Sequence, residues 1–264
     1  MKGGREKMSD KIRIRWLTNA SFEIRGCGQV VLTDPCLKQT TYKGFDADSF
    51  DQVDHVVISH LHWDHITELP DIYEKFHPLI YTGVMGSDLL ASWLDCNTSF
   101  IYPMYPDQEL DMGKVKIKMF YNRHANVGKS KSEQAGRCLS YPFMKDYPGM
   151  DALQSIGGME MCSYLITFEN GFRILFWGGD ISYSQISHLR GLEPDVAFIQ
   201  YSKQGAEAFT ELANAIRPGV AIPHHTDLKN ALHSEIVEKK IELLKQTYKG
   251  KLICPENGQW MEFA

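Results

Sequence analysis

No apolar run in the chain approaches the roughly 20 residues that a membrane-spanning helix needs, which excludes stable membrane insertion. Cysteine is sparse and scattered: Cys27, Cys36, Cys96, Cys138, Cys162 and Cys254 form no Cys-x-x-Cys pair. That spacing argues against a disulfide framework and against a thiolate zinc knuckle, and it leaves reduced thiols, mostly in the core. A basic stripe with interleaved aromatics is also missing, and the formal net charge is -5, so the electrostatic footprint of a nucleic-acid binder is absent. A small phosphorylated substrate stays compatible with that charge. Met1 to Asp10 is charged and lacks the apolar centre of a secretory signal, so the expected location is the cytoplasm.

What is present is an ordinary globular composition, 43% hydrophobic and 23% charged, over a length of 264 residues that suits one α/β unit spanning 1–264. Short extended runs open the chain at Ile12 to Leu17, Ser21 to Arg25 and Gln29 to Thr33, the pattern of an antiparallel meander. His55 to Ser59 reads as a strand buried on both faces. Helices are expected at Ile66 to Phe76 and Ser87 to Asp95, with a short strand at Leu79 to Tyr81 between them. Lys114 to Tyr121 alternates apolar and lysine residues as a half-buried strand does. Periodicity fails over 125–158, and so long an unpatterned stretch is expected to be a lid or substrate loop. A hairpin follows at Met161 to Phe168 and Phe172 to Trp177. Helix and strand then alternate through Tyr183 to Leu189, Val196 to Gln200, Ala206 to Ile216, Val220 to Ile222, Asn230 to Leu244 and Lys251 to Cys254. Strands first and alternation later suggest two packed sheets with helices outside.

The chemistry concentrates in His60-Leu61-His62-Trp63-Asp64-His65, at the end of the buried strand. On extended backbone His60 and His62 point the same way, while Asp64 and His65 enter the next helix. Imidazole and carboxylate together suit zinc first, with manganese or iron as alternatives. A chance match to His-x-His-x-Asp-His is expected in about one sequence in a thousand of this composition. Further metal-capable residues end other predicted strands: His124, Asp180 and the pair His224-His225. Such strand ends can meet at one edge of a sheet scaffold.

This constellation resembles the metallo-β-lactamase-fold hydrolases. His60, His62, Asp64 and His65 match that family's first motif, His124 its third-histidine position and Asp180 its bridging carboxylate. Ile14 to Phe22 followed by Leu32-Thr33-Asp34-Pro35 looks like its opening strands. Glu207 through His225 is most similar to the closing segment of the branch holding ascorbate phosphate lactonases and N-acylphosphatidylethanolamine phospholipase D, and there the ligand sits two residues after the proline, favouring His225 over His224. Asn19 departs from the histidine or other polar residue that many members carry there.

The resemblance implies an α/β (α+β) four-layer αββα sandwich and two divalent metal ions. His60, His62 and His124 would hold one ion, Asp64, His65 and His225 the other, with Asp180 bridging. It further implies a metal-bridged hydroxide acting on a small lactone, ester or phosphoester, with Asp64 or Asp180 relaying a proton to the leaving group. Asp34, Ser59 and Thr226 are candidates for fixing the histidine tautomers. The expected partner is a small-molecule substrate rather than nucleic acid or membrane, with room for a homo-oligomer. Rival readings are a phosphodiesterase on a larger phospholipid or nucleotide, and a noncatalytic metal-binding scaffold. A flavin-linked di-iron oxidoreductase would need a flavodoxin-like domain that the chain lacks.

Overall fold

The computed structural model describes residues 11–38, 44–124, 146–181, 183–201, 205–226 and 234–264. Alternating apolar and charged residues in Ile12-Arg13-Ile14-Arg15-Trp16 give β1 (Ile12–Thr18) one buried face. It pairs antiparallel with β2 (Ser21–Gly26), and β2 with β3 (Gln29–Thr33). Three further strands then add in parallel: β4 (His55–Val57), β5 (Leu79–Gly83) and β6 (Ile101–Met104). The second sheet contains β7 (Glu109–Asp111), β8 (Val115–Asn122), β9 (Met161–Phe168), β10 (Arg173–Trp177), β11 (Val196–Gln200) and β12 (Val220–His224). Its order is β12-β11-β10-β9-β8-β7. A terminal β13 (Trp260–Phe263) returns to the first sheet beside β1.

Three apolar layers hold these sheets and their helices together. Between the sheets, Phe22 and Phe198 stack with centroids 3.9 Å apart, surrounded by Ile14, Val57, Tyr164 and Ile222. Outside the first sheet, Leu32, Val56, Ile58 and Ile80 meet α1 (Trp63–Ile66), α2 (Leu69–Phe76), α3 (Ser87–Trp93) and α4 (Met150–Gly157). Outside the second, Leu175, Trp177 and Ile199 meet α5 (Tyr183–Leu189), α6 (Gly205–Ile216) and α7 (Ser234–Thr247). The result is the αββα sandwich expected from the sequence. No helix among the described residues is long and apolar enough to cross a membrane.

Several elements differ from the sequence expectation. The helix read over 66–76 is two helices, because Pro70 lacks an N–H and opens α2 after Glu68 rather than continuing α1. Lys251 to Cys254 forms no strand, only a bridge from Leu252 to Ala221, and β6 and β13 are short strands that sequence periodicity passes over. Part of the stretch read as a lid or loop is ordered as α4, whose Met150, Leu153 and Gly157 face inward; residues 125–145 lie outside the described ones. Among the five described cysteines, all free, Cys36 and Cys162 are buried in the core, Cys27 and Cys96 pack half-buried against it, and only Cys254 is exposed. Cys138 lies outside the described residues.

Candidate metal centre

The His60 to His65 segment leaves β4 locked from both sheets. Ile58 donates its amide to Tyr81 at 2.9 Å, the Tyr164 hydroxyl donates to the Ile58 carbonyl at 2.8 Å, and Ser59 accepts from the Cys162 amide at 2.7 Å. Leu61 is buried in the layer outside the first sheet, so alternation turns its neighbours His60 and His62 the other way. His62 ends the extended stretch and α1 begins, carrying Asp64 and His65 in a single turn.

A first group of donors forms around His60. Ligand atoms of His60, His62 and His124 all lie within 4.8 Å of one another. His60 Nε2 is 3.0 Å from His62 Nδ1, and the His124 ring centroid is 4.9 Å and 4.6 Å from theirs. His124 reaches this point from the second sheet through the turn after β8. There the buried Asn122 donates to Ser163 Oγ at 2.8 Å and accepts the Arg123 amide at 2.7 Å, which fixes the turn before His124.

A second group shares the cluster. His60, Asp64 and His65 also fall within 4.8 Å of one another. Asp64 Oδ2 lies 3.5 Å from His65 Nε2 and 3.3 Å from His225 Nε2, which arrives from the end of β12. His225 has φ +67, a left-handed backbone that turns it out of the strand; Asn19 and Asp34 beside the cluster are left-handed as well. Non-glycine residues held there each cost about 1–3 kcal/mol and concentrate at functional sites.

Asp34 sets the tautomers. Its carboxylate, fully buried, accepts the Ser59 amide at 2.6 Å, the Ser59 hydroxyl at 2.5 Å and His65 Nδ1 at 2.6 Å. With the Ser59 proton on Asp34, His60 Nδ1 is the donor in its 3.0 Å bond to Ser59 Oγ, and His60 Nε2 keeps its lone pair. The His62 ring donates to the Gln154 carbonyl, and its Nδ1 faces His60. Burial pushes His60 well below the usual imidazole range and His62 down to about 3, so both are neutral. For His65 burial pulls down, but Asp64 and Asp34 outweigh it and push it up to about 10. Asp64 likewise resists burial, and His65 beside it together with the bond from His225 hold its carboxyl well below the usual carboxylate range.

These features fit a cation. Two neutral imidazoles aim lone pairs at one point, and the buried His65 Nε2 has no hydrogen-bond partner. Every outward-facing ring nitrogen of His60, His62 and His65 is anchored by protein, the arrangement that raises ligand basicity in metal sites. Nitrogen with one carboxylate suits zinc, manganese or iron.

The remaining sequence candidates distribute clearly. Asp180 is buried at the end of β10 and its amide donates to Arg123 at 2.9 Å, next to His124, but neither close donor group takes in its carboxylate. His224 is fully buried, donates Nε2 to the Trp177 carbonyl at 3.0 Å and packs on Phe22 and Phe176. Of the candidate tautomer residues, Asp34 and Ser59 touch the histidines, while no hydrogen bond among the described residues ties Thr226 to them. Sequence reasoning did not find Gln154 or Gly157. A Cβ on Gly157 would stand 2.7 Å from His62 Cδ2 and 2.8 Å from its amide nitrogen, so α4 presses directly on this histidine.

The beta-lactamase superfamily domain model matches residues 13–225. A UPF0173 metal-dependent hydrolase from Cupriavidus metallidurans is 26% identical over 263 residues, covering 96% of this chain and 86% of its own. Among solved structures, Igni18, a metallo hydrolase from Ignicoccus hospitalis, superposes with a TM-score of 0.69 at 16% identity, covering 96% of this chain and 99% of that one. CmlA from Streptomyces venezuelae, a diiron β-hydroxylase, gives 0.66 at 15% identity over 98% of this chain and 55% of its own. At those identities the structures show the fold alone, and the fold serves more than one chemistry. The match along most of the chain, its two sheets and the histidine–aspartate cluster at their common edge lead to one statement: the chain belongs to the beta-lactamase superfamily and has the metallo-β-lactamase fold.

Proposed function

We propose that the chain is a metal-dependent hydrolase that uses two divalent ions to cleave a small lactone, ester or phosphoester. The observation that carries the reading is the 3.0 Å approach of two neutral imidazole nitrogens, His60 Nε2 and His62 Nδ1, whose opposite ring atoms are committed to protein partners. His60, His62 and His124 would hold one ion and Asp64, His65 and His225 the other, with the Asp180 carboxylate as a further ligand. Zinc is the first choice, and manganese or iron the alternatives. When bound, the ions lower the pKa of a shared water and polarise the scissile carbonyl or phosphoryl oxygen.

The protein's own groups supply the rest. Asp34 keeps the His65 proton on Nδ1, so Nε2 is presented to the ion. Asp64, ionised in its buried position, is the first candidate to accept a proton transiently and pass it to the leaving group; Asp180 is the second. No serine or cysteine nucleophile is required. Support for the substrate class comes from the likeness of 207–225 to lactonase and phospholipase D sequences and from the formal net charge of -5, which disfavours polynucleotides.

The test is metal analysis of the purified chain together with turnover of a lactone, an aryl ester and a bis-aryl phosphodiester by the native protein and by Asp64→Ala. Stoichiometric metal and hydrolysis that collapses in the variant are expected. A native protein with no stoichiometric metal under conditions that preserve its fold sinks the proposal. Bound metal without turnover of any member supports the scaffold reading, and preference for the phosphodiester supports the larger-phosphodiester one.

A further inference from the structure

Asp64 and His225 come from different sheets, yet their side chains meet within 3.3 Å. The residue that touches the main chain of both is Asn19, in the turn between β1 and β2. It is fully buried. Its Nδ2 donates to the Asp64 carbonyl at 2.6 Å, and its own carbonyl accepts the His225 amide at 2.9 Å and Trp16 Nε1 at 3.1 Å. A φ of +45 lets one residue direct its side chain to one sheet's loop and its carbonyl to the other's.

We propose that Asn19 is a positioning residue that sets the separation of Asp64 and His225 and thereby the affinity of the second ion. The proposal rests on the two-ion reading above. Asparagine suits the task on two grounds. Among side-chain-bearing residues it tolerates left-handed backbone well, and its amide supplies a donor where aspartate would place a second acceptor against the Asp64 carbonyl. The first position does not depend on this link, because Ser59, Gln154 and Asn122 anchor His60, His62 and the turn before His124. Loss of the Asn19 side chain therefore acts selectively, which a role in folding alone would not do.

Asn19→Gly keeps the backbone conformation and the bond to His225 while deleting the donor to Asp64. Asn19→Asp keeps size and turns that donor into an acceptor. Chelator-stripped native protein and both variants are titrated with cobalt(II), followed by visible absorption and by competition with a chromophoric chelator. The native chain is expected to take two equivalents. In both variants the first binding constant stays within about threefold of native and the second falls about 10–100-fold, the range for losing a group that orients a ligand. Second-ion binding within about threefold of native in Asn19→Gly overturns the proposal, and so does equal weakening of both ions. Uptake of one equivalent by the native chain defeats the two-ion reading itself, a distinct result. Where neither variant folds, hydrogen exchange on the native chain decides: the His225 amide should be equally protected with and without ions, because its acceptor is Asn19, and free exchange in the metal-free protein refutes the link.

Discussion

Replacing Asp34 with asparagine tests the proposed control of the histidine tautomers. The carboxylate accepts three donors, the Ser59 amide, the Ser59 hydroxyl and His65 Nδ1, at 2.5–2.6 Å. An amide has one acceptor oxygen. If that oxygen faces the Ser59 hydroxyl and His65, the new NH₂ opposes the buried Ser59 N–H, and an unsatisfied buried amide costs about 1–3 kcal/mol. If it faces the Ser59 amide, the NH₂ opposes His65 Nδ1–H and drives the ring proton to Nε2, the atom meant for metal. The surviving bonds also lose charge assistance, worth about 1 kcal/mol each. The sum is about 3 kcal/mol, or roughly 6–12 °C in Tm for a domain of this size. Thermal melts of the chelator-stripped protein read the first effect. Metal titration reads the second, a loss of about 10–100-fold at the Asp64, His65 and His225 position. An Asp34→Asn protein that melts within 2 °C of native and binds both ions normally would refute the tautomer argument.

Gly157→Ala is the crossed counterpart of the Asn19 variants, since its Cβ would press on His62 Cδ2 and on the His62 and Leu61 backbone. Overpacking of about 1–3 kcal/mol is expected, with the first ion weakened more than the second in the same titration; the reverse order would contradict the placement of α4. His65, raised to about 10 in the metal-free fold, contributes stability that is complete below its unfolded value near 6.5 and is lost as pH rises toward 10. An ion on Nε2 displaces that proton, so calorimetry at pH 8 in buffers of differing ionisation heat should show about one proton released from this group, and no release would count against the ligand assignment. His55 behaves oppositely: burial lowers it, so its contribution is present above about 6.5 and fades as pH falls. Denaturant melts of the stripped protein should weaken between pH 7 and pH 5, with a shallower slope in His55→Gln. Chelation should abolish hydrolysis yet leave the far-ultraviolet dichroism intact, because the three apolar layers include none of the proposed ligands.

Legibility followed the range of the interactions. His60, His62, Asp64 and His65 share six residues, so their spacing alone announces a candidate metal site. His124 and His225 were readable as strand ends, and only the fold brings them to the cluster. Asp34 and Ser59 were visible as candidates, but a turn aspartate and a strand-end serine look alike whether or not they grip an imidazole. Asn19 registered only as a departure, because its value lies in two hydrogen bonds to residues 45 and 206 positions away in sequence order. Gly157 reads as loop filler until α4 is seen against His62. Strand β13 escaped notice for a related reason: four residues, three half-buried and one exposed, carry little periodicity, and their partner β1 lies at the other end of the chain.

The Phe22–Phe198 stack has a consequence for selectivity. Those rings, 3.9 Å apart and nearly parallel, act as a spacer between the sheets. One sheet delivers His60, His62, Asp64 and His65, and the other delivers His124 and His225, so the spacer is also the gauge of the bite offered to an ion. Trimming either ring by a few carbons would change the aperture of the candidate site without touching any of its donor residues. Under the two-ion reading, the choice among ions of different radius would be written partly in the hydrocarbon core.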